Sequence, residues 1–580
     1  WEDDPALAGL GKGWRAIARR LAEKGWIEPG VPRTGPAAAP HSRDPGPKLT
    51  ADQARAVEAM VGALGHFRPL LLHGVTGSGK TEVYLAVIDA VLGRGEQALV
   101  LVPEIGLTPQ LLERFRARFD VPIVALHSGL TAAERLAAWR AARDGEAGVV
   151  IGTRSAVFTP LARCGLIVVD EEHDASLKQQ DGFRYSARDL AVVRGRLQGV
   201  PVVLGSATPS LETLHNAGRG RYERLHLPER PGQAVHPTMR LIDLRVTPTR
   251  DGLTAPLLAA IRRHLDDGGQ VMLFLNRRGF APTLFCPGCG WTADCPRCDA
   301  RLTLHQRPDG LQCHHCGHRS ARTAVCPDCG EEPVAAGQGT ERIEEALVRH
   351  FPDAPLARLD RDTVRSRGEL EAVLAGMRDG HTRLLVGTQM LTKGHDFPGV
   401  TLVGVLNADQ GLFGTDFRSD ERLAQTILQV SGRAGRRDRP GEVLLQTSFP
   451  EHPLLACLID GGYEDFARQA LAHRSAAGWP PFAYLALLRA EAVARSEPQA
   501  FLAVCAGLAR ELLPAAVRIL GPAPSPMERR QGRYRAQLLL QTTERPALRR
   551  ALPALLEAIA ALPAARRVRW SLDVDPGELF

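Results

Sequence analysis

Long hydrophobic runs, a secretory leader and a disulfide-like spacing of cysteines are all missing from this 580-residue sequence. No apolar run approaches the ~18 residues of a membrane-spanning helix, so we expect no membrane role. The first thirty residues lack an initiator Met and the basic-then-apolar order of a signal peptide, so we expect the chain to start inside a longer protein or to have been trimmed. The three isolated cysteines, Cys164, Cys457 and Cys505, are expected to be small buried hydrophobic residues.

Length and charge set broad limits on the protein. Domains usually contain ~100 to 200 residues, so we expect three or four of them. The chain has 44% hydrophobic and 24% charged residues, which is typical of a soluble globular protein. Its 72 Lys and Arg against 65 Asp and Glu give a formal charge of +7. This excess is compatible with a polyanionic partner but does not establish one.

The order of apolar and helix-length segments predicts two α/β lobes. Apolar runs such as PLLLHG and LIVVDEEH alternate with helix-length stretches, the pattern of a parallel sheet covered on both faces. A second series begins at QVMLFLNRRG and is interrupted by a cysteine-rich block. We predict the following segments: a helical or winged-helix remnant at 1–30, a linker at 31–48, lobe 1 at 49–228, the start of lobe 2 at 229–282, a cysteine-rich insertion at 283–335, the remainder of lobe 2 at 336–455 and an α+β C-terminal domain at 456–580.

The segment GVTGSGKT at 74–81 matches the phosphate-binding pattern G-x-x-x-x-G-K-[ST], and it lies between an apolar strand and a helix-length stretch, as that pattern requires. Backbone N–H groups of such a loop surround phosphate oxygens, Lys80 can reach the β and γ phosphates, and the Thr81 hydroxyl can bind magnesium. A glycine-rich loop that matches by chance is the alternative, and the flanking segments argue against it. The predicted phosphate-binding residues are Gly74, Thr76, Gly77, Ser78, Gly79, Lys80 and Thr81.

Two carboxylates at the end of the strand LIVVDEEH can complete this site. One carboxylate can hold magnesium and its neighbour can orient the attacking water, which are the remaining tasks in phosphoryl transfer. We assign Asp170 to the metal and Glu171 to the water. An acidic strand end can instead be a solvated loop or a helix N-cap, and the presence of Lys80 favours the catalytic interpretation.

Arg433 and Arg436, in QVSGRAGRRDRPG, are three residues apart and therefore share a helical face. Such a pair can supply an arginine finger when two lobes close, which couples hydrolysis to movement of the lobes. An R-x-x-R face considered alone is more often a solvated surface. The position of this pair after the second lobe favours the catalytic interpretation.

Eight of the eleven cysteines form four C-x-x-C pairs, which indicate metal binding in a reducing cytoplasm rather than disulfides. Eight thiolates suffice for two closed, structural zinc sites, with iron–sulfur clusters as the lesser alternative. Spacing alone does not decide which pairs share a metal. The pairs are Cys286 with Cys289, Cys295 with Cys298, Cys313 with Cys316, and Cys326 with Cys329.

Taken in order, these segments resemble the primosomal protein N′ (PriA) family, the replication-restart DNA helicases of superfamily 2. The resemblance runs from about Leu49 to Phe580, and its most specific part is the cysteine block after LNRRGFAP together with GTQMLTKGHDFP. The other segments that carry it are LTADQ, GVTGSGKTEVY, LVPEIGLTPQ, HSGLTAAER, GTRSAVFTP, DEEHDASLKQQDGFRYSARDLA, GSATPS, GVTLVGVLNAD, DFRSDERLAQTILQVSGRAGR and DVDP.

The resemblance implies a fold and a set of site residues. The two lobes would be RecA-like helicase lobes, Gln53 would read adenine, and Gly394 would join Arg433 and Arg436 in the ATP site. The outer cysteine pairs would bind one zinc ion and the inner pairs the other. This grouping joins Cys286, Cys289, Cys326 and Cys329 in the first site, and Cys295, Cys298, Cys313 and Cys316 in the second.

The segment 176–188 resembles the family's aromatic-rich loop, thought to couple single-stranded DNA binding to ATP hydrolysis. Bases stack on aromatic side chains whatever their sequence. Leu177 stands where a ring is expected, so we expect weaker coupling, with Phe183 and Tyr185 as the nearest rings. Each predicted DNA contact could instead stabilise a loop of its own domain. They are Thr153, Arg154, Phe183, Tyr185, Arg188, Thr388, Lys393, Arg533 and Arg535.

The expected function is an ATP-dependent 3′-to-5′ DNA helicase that remodels stalled or collapsed forks and initiates primosome assembly, with magnesium and two zinc ions. The family's N-terminal domain that captures a nascent 3′ end is missing, so we expect less selective fork binding. Expected partners are single-stranded and forked DNA, single-stranded DNA-binding protein, other primosome proteins and the replicative helicase-loading system. We expect a cytoplasmic, nucleoid-associated monomer. The alternative is a non-catalytic scaffold that binds forks and recruits restart proteins.

Overall fold

A computed structural model describes residues 14–24, 46–104, 107–231, 237–275, 283–306, 309–336, 340–360, 367–388, 391, 397–414, 416–435 and 439–579. Helix α1 (Trp14–Glu23) is the described part of the predicted remnant at 1–30. Most of the predicted linker at 31–48 lies outside the described residues. In the described parts of the chain, no helix has both the length and the apolar character needed to cross a membrane.

Lobe 1 is built on a seven-stranded sheet in which all the strands are parallel, in the order β3-β4-β2-β5-β6-β1-β7. Buried side chains cover both of its faces. Its strands are β1 (Pro69–Gly74), β2 (Gln97–Leu101), β3 (Ile123–Leu126), β4 (Val149–Gly152), β5 (Cys164–Asp170), β6 (Val202–Ser206) and β7 (Glu223–Leu227). Its helices are α2 (Ala51–Gly62), α3 (Lys80–Gly93), α4 (Pro109–Arg118), α5 (Ala132–Arg143), α6 (Ala187–Gln198) and α7 (Leu211–Gly218), with 3-10 turns at Arg154–Phe158 and Ala175–Leu177.

Several helices of lobe 1 begin at side chains that accept a backbone N–H. Thr50 caps α2 in a reciprocal capping box with Gln53, and Thr131 does the same for α5 with Glu134. Ser210 caps α7. These caps fix where each helix starts, and therefore fix the loops at the carboxyl edge of the sheet.

Lobe 2 contains a six-stranded, all-parallel sheet in the order β17-β18-β11-β19-β20-β8. Its strands are β8 (Thr238–Asp243), β11 (Gln270–Leu275), β17 (Leu356–Leu359), β18 (Leu384–Gly387), β19 (Val400–Leu406) and β20 (Glu442–Thr447), with a small hairpin of β9 (Thr249–Arg250) and β10 (Leu253–Thr254). Its helices are α8 (Ala255–Asp266), α9 (Thr340–His350), α10 (Arg367–Arg378) and α11 (Ser419–Ser431), with a 3-10 turn at Ala408–Gly411. The prediction of two parallel α/β lobes is confirmed.

Two helices follow lobe 2 and pack on it. Helices α12 (Pro453–Asp460) and α13 (Gly462–Ala477) place Leu455 and Phe466 in the same buried cluster as the lobe 2 strands. Leu211, the first residue of α7 in lobe 1, lies in that cluster too. The predicted boundary at residue 456 therefore falls inside a helix that packs with lobe 2, and the two lobes share buried apolar surface.

The cysteine-rich insertion consists of short antiparallel strands around the cysteines. Its strands are β12 (Thr283–Phe285), β13 (Thr303–Gln306), β14 (Asp309–Gln312), β15 (Arg319–Ser320) and β16 (Val334–Ala336), in the two sheets β12-β16 and β13-β14-β15. Few apolar residues lie in its small core, and several cysteines lie among them. A core this small is typical of a domain that a metal holds together.

The C-terminal domain is an antiparallel four-stranded sheet, β22-β23-β21-β24, with two long helices packed against it. Its elements are β21 (Tyr484–Ala492), α14 (Ser496–Leu512), β22 (Arg518–Arg530), β23 (Arg533–Thr542), α15 (Arg545–Ala561), a 3-10 turn at Pro563–Arg566 and β24 (Arg569–Val574). The prediction of an α+β domain here is confirmed.

Candidate nucleotide, DNA and zinc sites

The loop between β1 and α3 has the shape of a phosphate cradle. Lys80 is the first residue of α3, and its Nζ donates to the Gly74 carbonyl oxygen over 2.8 Å. Ser78 is buried, and its Oγ has no hydrogen-bond partner among the described residues. An unsatisfied buried hydroxyl beside a helix N-terminus fits a site that a phosphate completes.

Both polar atoms of the Gln53 side-chain amide form hydrogen bonds beside this loop. Its Oε1 accepts the Thr50 N–H at 2.9 Å, and its Nε2 donates to the Ser78 carbonyl oxygen at 2.8 Å. Gln53 thus connects the start of α2 to the phosphate loop. Its role toward adenine stays a prediction.

Asp170 lies at the end of β5, next to the phosphate loop. Burial, and then the charge of Glu171, raise the pKa of Asp170 to about 6, while Lys80 and the Tyr84 hydroxyl oppose the rise. Tyr84 donates to Asp170 Oδ1 over 3.1 Å. A Cβ at Gly205 would lie 1.5 Å from the Tyr84 hydroxyl, so only glycine permits this contact. A buried carboxylate that is costly to ionise fits a cation site, since a divalent ion displaces the proton.

Glu171 follows in an unusual backbone conformation. Its φ is +47°, which few residues other than glycine adopt. One of its carboxylate oxygens, Oε2, is buried without a hydrogen-bond partner in the described parts of the chain and lies 3.6 Å from His173 Nδ1. Strained backbone and an unsatisfied carboxylate oxygen at one residue are typical of functional positions. Both features fit a residue that orients a water molecule.

Glu172 points the other way, into the protein, where its carboxylate is fully satisfied. It accepts the Ser210 N–H at 2.6 Å, the Thr213 hydroxyl at 2.9 Å and an Arg188 N–H at 3.3 Å. The end of β5 is therefore hydrogen-bonded to Ser210, the last residue of the segment SATPS, and to the first turn of α7. Sequence reasoning gave Glu172 no role, because a third acidic residue in DEEH resembles a solvated one.

His173 joins the two lobes. Its Nδ1 lies 2.7 Å from Ser206 Oγ in lobe 1, and its Nε2 lies 2.6 Å from Gln429 Nε2 on α11 of lobe 2. Because the Gln429 amide nitrogen can only donate, His173 Nε2 accepts and the ring proton on Nδ1 faces Ser206. The pattern Q-x-S-G-R at 429–433 was visible in the sequence, but its distance of 256 residues from His173 hid this contact.

The turn after α11 lies against the phosphate loop. A Cβ at Gly432 would lie 2.6 Å from the Thr76 side chain, so the lobes approach here as closely as glycine allows. Arg230 donates to the carbonyl oxygens of Ala434 and Gly435 at 3.3 and 2.9 Å. Arg433 is buried in this turn, at 7% exposure. The other residues predicted here, Gly394 and Arg436, lie outside the described residues.

The eight paired cysteines form two groups. In each group the four Sγ atoms lie within 4.8 Å of one another, and closest pairs are 3.4 to 3.6 Å apart. Four thiolates about a zinc ion, with Zn–S of about 2.3 Å, are about 3.8 Å apart, so both groups fit zinc. Cys286, Cys289, Cys326 and Cys329 form the first group, and Cys295, Cys298, Cys313 and Cys316 the second, as the resemblance implied.

Most of the polar residues predicted to contact DNA are buried or form hydrogen bonds within the protein. Thr153 and Thr388 are buried. Arg154 donates to the carbonyl oxygens of Ser176 and Lys178, and Arg188 bonds to Glu172, Asp189 and Ser210. Burial lowers the pKa of Arg535, and Lys393 lies outside the described residues. These contacts stay predictions, and Arg154 has an evident second task in holding the loop that follows Asp174.

The aromatic predictions lie on the surface. Phe183 is 75% exposed, and its ring centroid lies 5.7 Å from that of Tyr185. Phe158, which sequence reasoning missed, completes the cluster at 4.8 Å from Tyr185 and is 54% exposed. Leu177 is instead buried in the core of lobe 1, so the ring that it replaces would have to fit into that core in this arrangement. The exposed rings of Phe158 and Phe183, together with the partly buried ring of Tyr185, form a surface on which bases can stack.

The C-terminal end of the chain contacts both lobes beside this loop. Lys178 Nζ lies 2.8 Å from the buried carboxylate of Asp573 and donates to the Val574 carbonyl oxygen. On the side of lobe 2, the Leu579 N–H donates to Asp416 Oδ2 at 2.8 Å. The motif DVDP thus lies where the two lobes and the C-terminal domain meet.

Comparisons with known proteins follow the same division of the chain. Family models match as DEAD/DEAH box helicase at 50–217, helicase conserved C-terminal domain at 336–438, the PriA DNA helicase Cys-rich region at 295–320 and the primosomal protein N C-terminal domain at 475–577.

Three relatives, each named "Replication restart protein PriA", match nearly the whole chain. The protein from Haemophilus influenzae is 46% identical over 97% of this chain and 78% of its own length. The Bacillus subtilis protein is 40% identical over 91% of this chain, and the Synechocystis protein 42% identical over 91%. The chain spans 66% and 65% of the lengths of these last two relatives.

Proposed function

The chain belongs to the family of replication restart protein PriA and is a DNA helicase, and we propose that it hydrolyses ATP to move 3′ to 5′ along single-stranded DNA. At a stalled or collapsed fork it would open the lagging-strand arm and initiate primosome assembly. The observation that carries the motor proposal is the bond between His173 and Gln429. It links the strand that ends in Asp170 and Glu171 to the helix that leads to Arg433, so a change at the nucleotide moves both lobes.

Each residue of the nucleotide site has a task in this proposal. Lys80 leaves the Gly74 carbonyl oxygen and binds the β and γ phosphates, and the Ser78 hydroxyl and loop N–H groups bind further oxygens. Thr81 and Asp170 would hold magnesium, which neutralises charge on the phosphates when it is bound. Glu171 orients the attacking water through its unsatisfied oxygen. Arg433 stabilises the charge that develops in the transition state.

DNA binding is proposed for the exposed rings of lobe 1. Stacking on Phe158, Phe183 and Tyr185 would place a strand beside the loop 174–185, which begins directly after the catalytic carboxylates. Arg154 donates hydrogen bonds to two carbonyl oxygens of this loop. The loop follows β5 closely in the chain, so a displacement of the loop by DNA would be transmitted to the end of β5. Proposed partners are forked DNA, single-stranded DNA-binding protein, other primosome proteins and the replicative helicase-loading system. We propose that it works as a cytoplasmic, nucleoid-associated monomer.

The test is steady-state ATP hydrolysis with and without forked DNA, for the wild type, Lys80→Ala and the surface control Lys48→Ala. Strong stimulation by DNA that is lost in Lys80→Ala and kept in Lys48→Ala is expected. Unwinding of partial duplexes with a 3′ or a 5′ single-stranded tail then tests polarity. Tight fork binding without hydrolysis above the Lys80→Ala level would leave the non-catalytic scaffold as the function, and unwinding from the opposite tail would overturn the polarity.

A further inference from the structure

The tip of the hairpin β22–β23, residues 529–532, lies on the second cysteine group. The Gln531 backbone N–H donates to Cys298 Sγ over 3.2 Å, and the Gly532 N–H donates to the Arg297 carbonyl oxygen over 2.8 Å. The Asp299 backbone N–H donates to the Arg529 carbonyl oxygen, and the Arg529 backbone N–H donates to the Asp299 carboxylate. The C-terminal domain thus contacts a loop that is 230 residues earlier in the chain and belongs to a metal site.

The backbone of the tip is shaped to make these bonds. Gln531 has φ of +54° and Gly532 has φ of +77°, and the flanking residues Arg530 and Arg533 pair across the hairpin. A two-residue turn with both φ values positive is the tight type I′ turn, which favours Asn-Gly and similar pairs. Gln531 adopts this uncommon conformation, and its N–H reaches the sulfur atom while its side-chain amide donates to the His315 carbonyl oxygen at 3.3 Å.

The four C-x-x-C turns differ in the residue that follows the second cysteine. A glycine follows Cys289, Cys316 and Cys329, and the N–H of each glycine donates to the carbonyl oxygen of the first cysteine of its pair. After Cys298 the glycine is replaced by Asp299, whose N–H donates to Arg529 of the C-terminal domain instead. The one turn that departs from the repeated pattern is the one that exchanges backbone hydrogen bonds with the hairpin, whereas the 313–316 turn accepts a hydrogen bond from the Gln531 side chain.

The exposure of the cysteines differs in the same way. Two cysteines of the first group, Cys289 and Cys329, are exposed, whereas no cysteine of the second group is exposed, and Cys298, on the turn beside the hairpin, is 1% exposed. Within the described parts of the chain, no hydrogen bond joins the first group to the C-terminal domain. The hairpin therefore covers the second group selectively.

We propose that the Gln531–Gly532 turn is a positioning element of the second zinc centre, so that metal in this centre and docking of the C-terminal hairpin stabilise each other. An N–H donated to a zinc-bound thiolate disperses its charge and orients the sulfur, and loss of such outer partners weakens metal binding by about 10- to 100-fold. Coupling of this kind is reciprocal, so loss of the second zinc must loosen the hairpin. The proposal goes beyond the motor function, since it holds whatever the chain does with DNA.

The first test measures zinc release from the full chain to a chromogenic chelator. Gln531→Pro removes the N–H and cannot adopt the positive φ, whereas the matched variant Gln531→Gly keeps the N–H and suits that φ. Alkylation of cysteines during release, followed by peptide mapping, identifies which centre empties. We expect about tenfold faster release from the second centre alone in Gln531→Pro. In Gln531→Gly we expect release within about twofold of the wild type, because its backbone N–H remains.

Unchanged release in Gln531→Pro, or equal acceleration at both centres, would overturn the proposal. A reciprocal measurement does not depend on that variant. Cys313→Ser disables the second centre and Cys326→Ser disables the first, with the same chemical change. Hydrogen exchange at Gln531 and Gly532 is expected to accelerate about tenfold or more in Cys313→Ser and to stay at the wild-type rate in Cys326→Ser.

Equal exchange in the two cysteine variants would contradict the coupling. If either variant does not fold, wild-type protein treated with limiting chelator replaces it, because alkylation mapping shows which centre has emptied at each point. Accelerated exchange at the hairpin must then follow loss of the second zinc and not loss of the first.

Discussion

The two lobes have the same kind of sheet but contribute to the nucleotide site in different ways. In lobe 1 the site residues are bonded to one another: Gln53 to Ser78, Lys80 to Gly74, and Tyr84 to Asp170. In lobe 2 the described contribution is one buried turn around Arg433, pressed on the phosphate loop at Gly432. In the proposed mechanism, lobe 1 therefore supplies most of the nucleotide-binding residues, whereas Arg433 of lobe 2 acts only when the lobes meet.

This difference predicts that substitutions in the two lobes separate binding from hydrolysis. Arg433→Lys keeps the charge but loses the planar, two-pronged guanidinium. We expect a loss in kcat of about 10²- to 10³-fold, as for other single groups that stabilise a transition state, with nucleotide affinity unchanged within about threefold. Steady-state kinetics and titration with a fluorescent nucleotide measure the two. An equal loss in affinity would mean that lobe 2 also builds the ground-state site.

The pH dependence of magnesium-dependent nucleotide binding tests the role of Asp170 in lobe 1. Because the pKa of Asp170 is raised to about 6, its carboxyl group takes up a proton as the pH falls through 6, and this proton competes with the cation for the same oxygens. Magnesium-dependent nucleotide affinity is therefore expected to fall about tenfold per pH unit below pH 6 and to be constant above pH 7.

Titration from pH 5 to 8, with and without magnesium, measures this effect. His73, at the end of β1, has its pKa lowered to about 3 by burial and by Arg224, so it stays neutral throughout. Asp170→Asn should abolish the magnesium dependence at every pH. A magnesium effect that persists at pH 5 would show that Asp170 is not the metal carboxylate.

The bond between His173 and Gln429 tests whether the lobes are energetically coupled. A buried hydrogen bond contributes about 1 kcal/mol, so His173→Ala and Gln429→Ala should each lower DNA-stimulated hydrolysis about fivefold. The double variant should do no worse than either alone, and a double-mutant cycle measures this. Strictly additive losses would show that the two side chains act independently and that closure of the lobes rests on other contacts.

An effect of similar size is expected for DNA binding by the exposed rings of lobe 1, with an exposed ring of lobe 2 as the control. Phe158→Ala removes one stacking surface beside Phe183 and Tyr185, and at the weak end of base stacking, about 1 kcal/mol, this raises the Kd for single-stranded DNA about fivefold. Phe413, 61% exposed on lobe 2, is the matched control, and Phe413→Ala should change the Kd less than twofold. Equal losses would mean that both lobes stack bases.

Much of the architecture could be predicted because the central strands are apolar on both faces. Strands β1, β2 and β5 are buried over nearly their whole lengths, and such runs stand out in a sequence. The edge strands β7, β8 and β17 escaped prediction, because ERLHL, TMRLID and LARL each contain polar residues among the apolar ones and are only partly buried. Residues 456–477 were assigned to the C-terminal domain because the composition becomes rich in Ala and Leu at about 456, whereas the packing of α12 and α13 joins them to lobe 2.

Among the site residues, those inside a contiguous motif were the ones that sequence could find. Lys80 and Thr81 depend on a loop and a helix that adjacent residues form, so spacing in the sequence is spacing in the structure. Phe158 and Glu172 were missed because their partners come from other segments: Tyr185 for the ring, and Ser210 and Thr213 for the carboxylate. The sequence around an aromatic or acidic residue does not indicate that such a partner exists.

The sequence by itself determined the two parallel sheets, the phosphate loop and the count of eight thiolates, since each follows from local pattern and stoichiometry. Only the tertiary structure decided that Leu177 points into the core, that His173 bonds across the lobes and that Gln531 bonds to Cys298, and it brought the cysteines into the two groups that the family resemblance, but not their spacing, had implied. The physical reason is the distance along the chain over which each kind of interaction acts. Helix caps, glycine turns and apolar alternation act between neighbours in the chain, whereas these contacts join segments that only the packing of whole domains brings together.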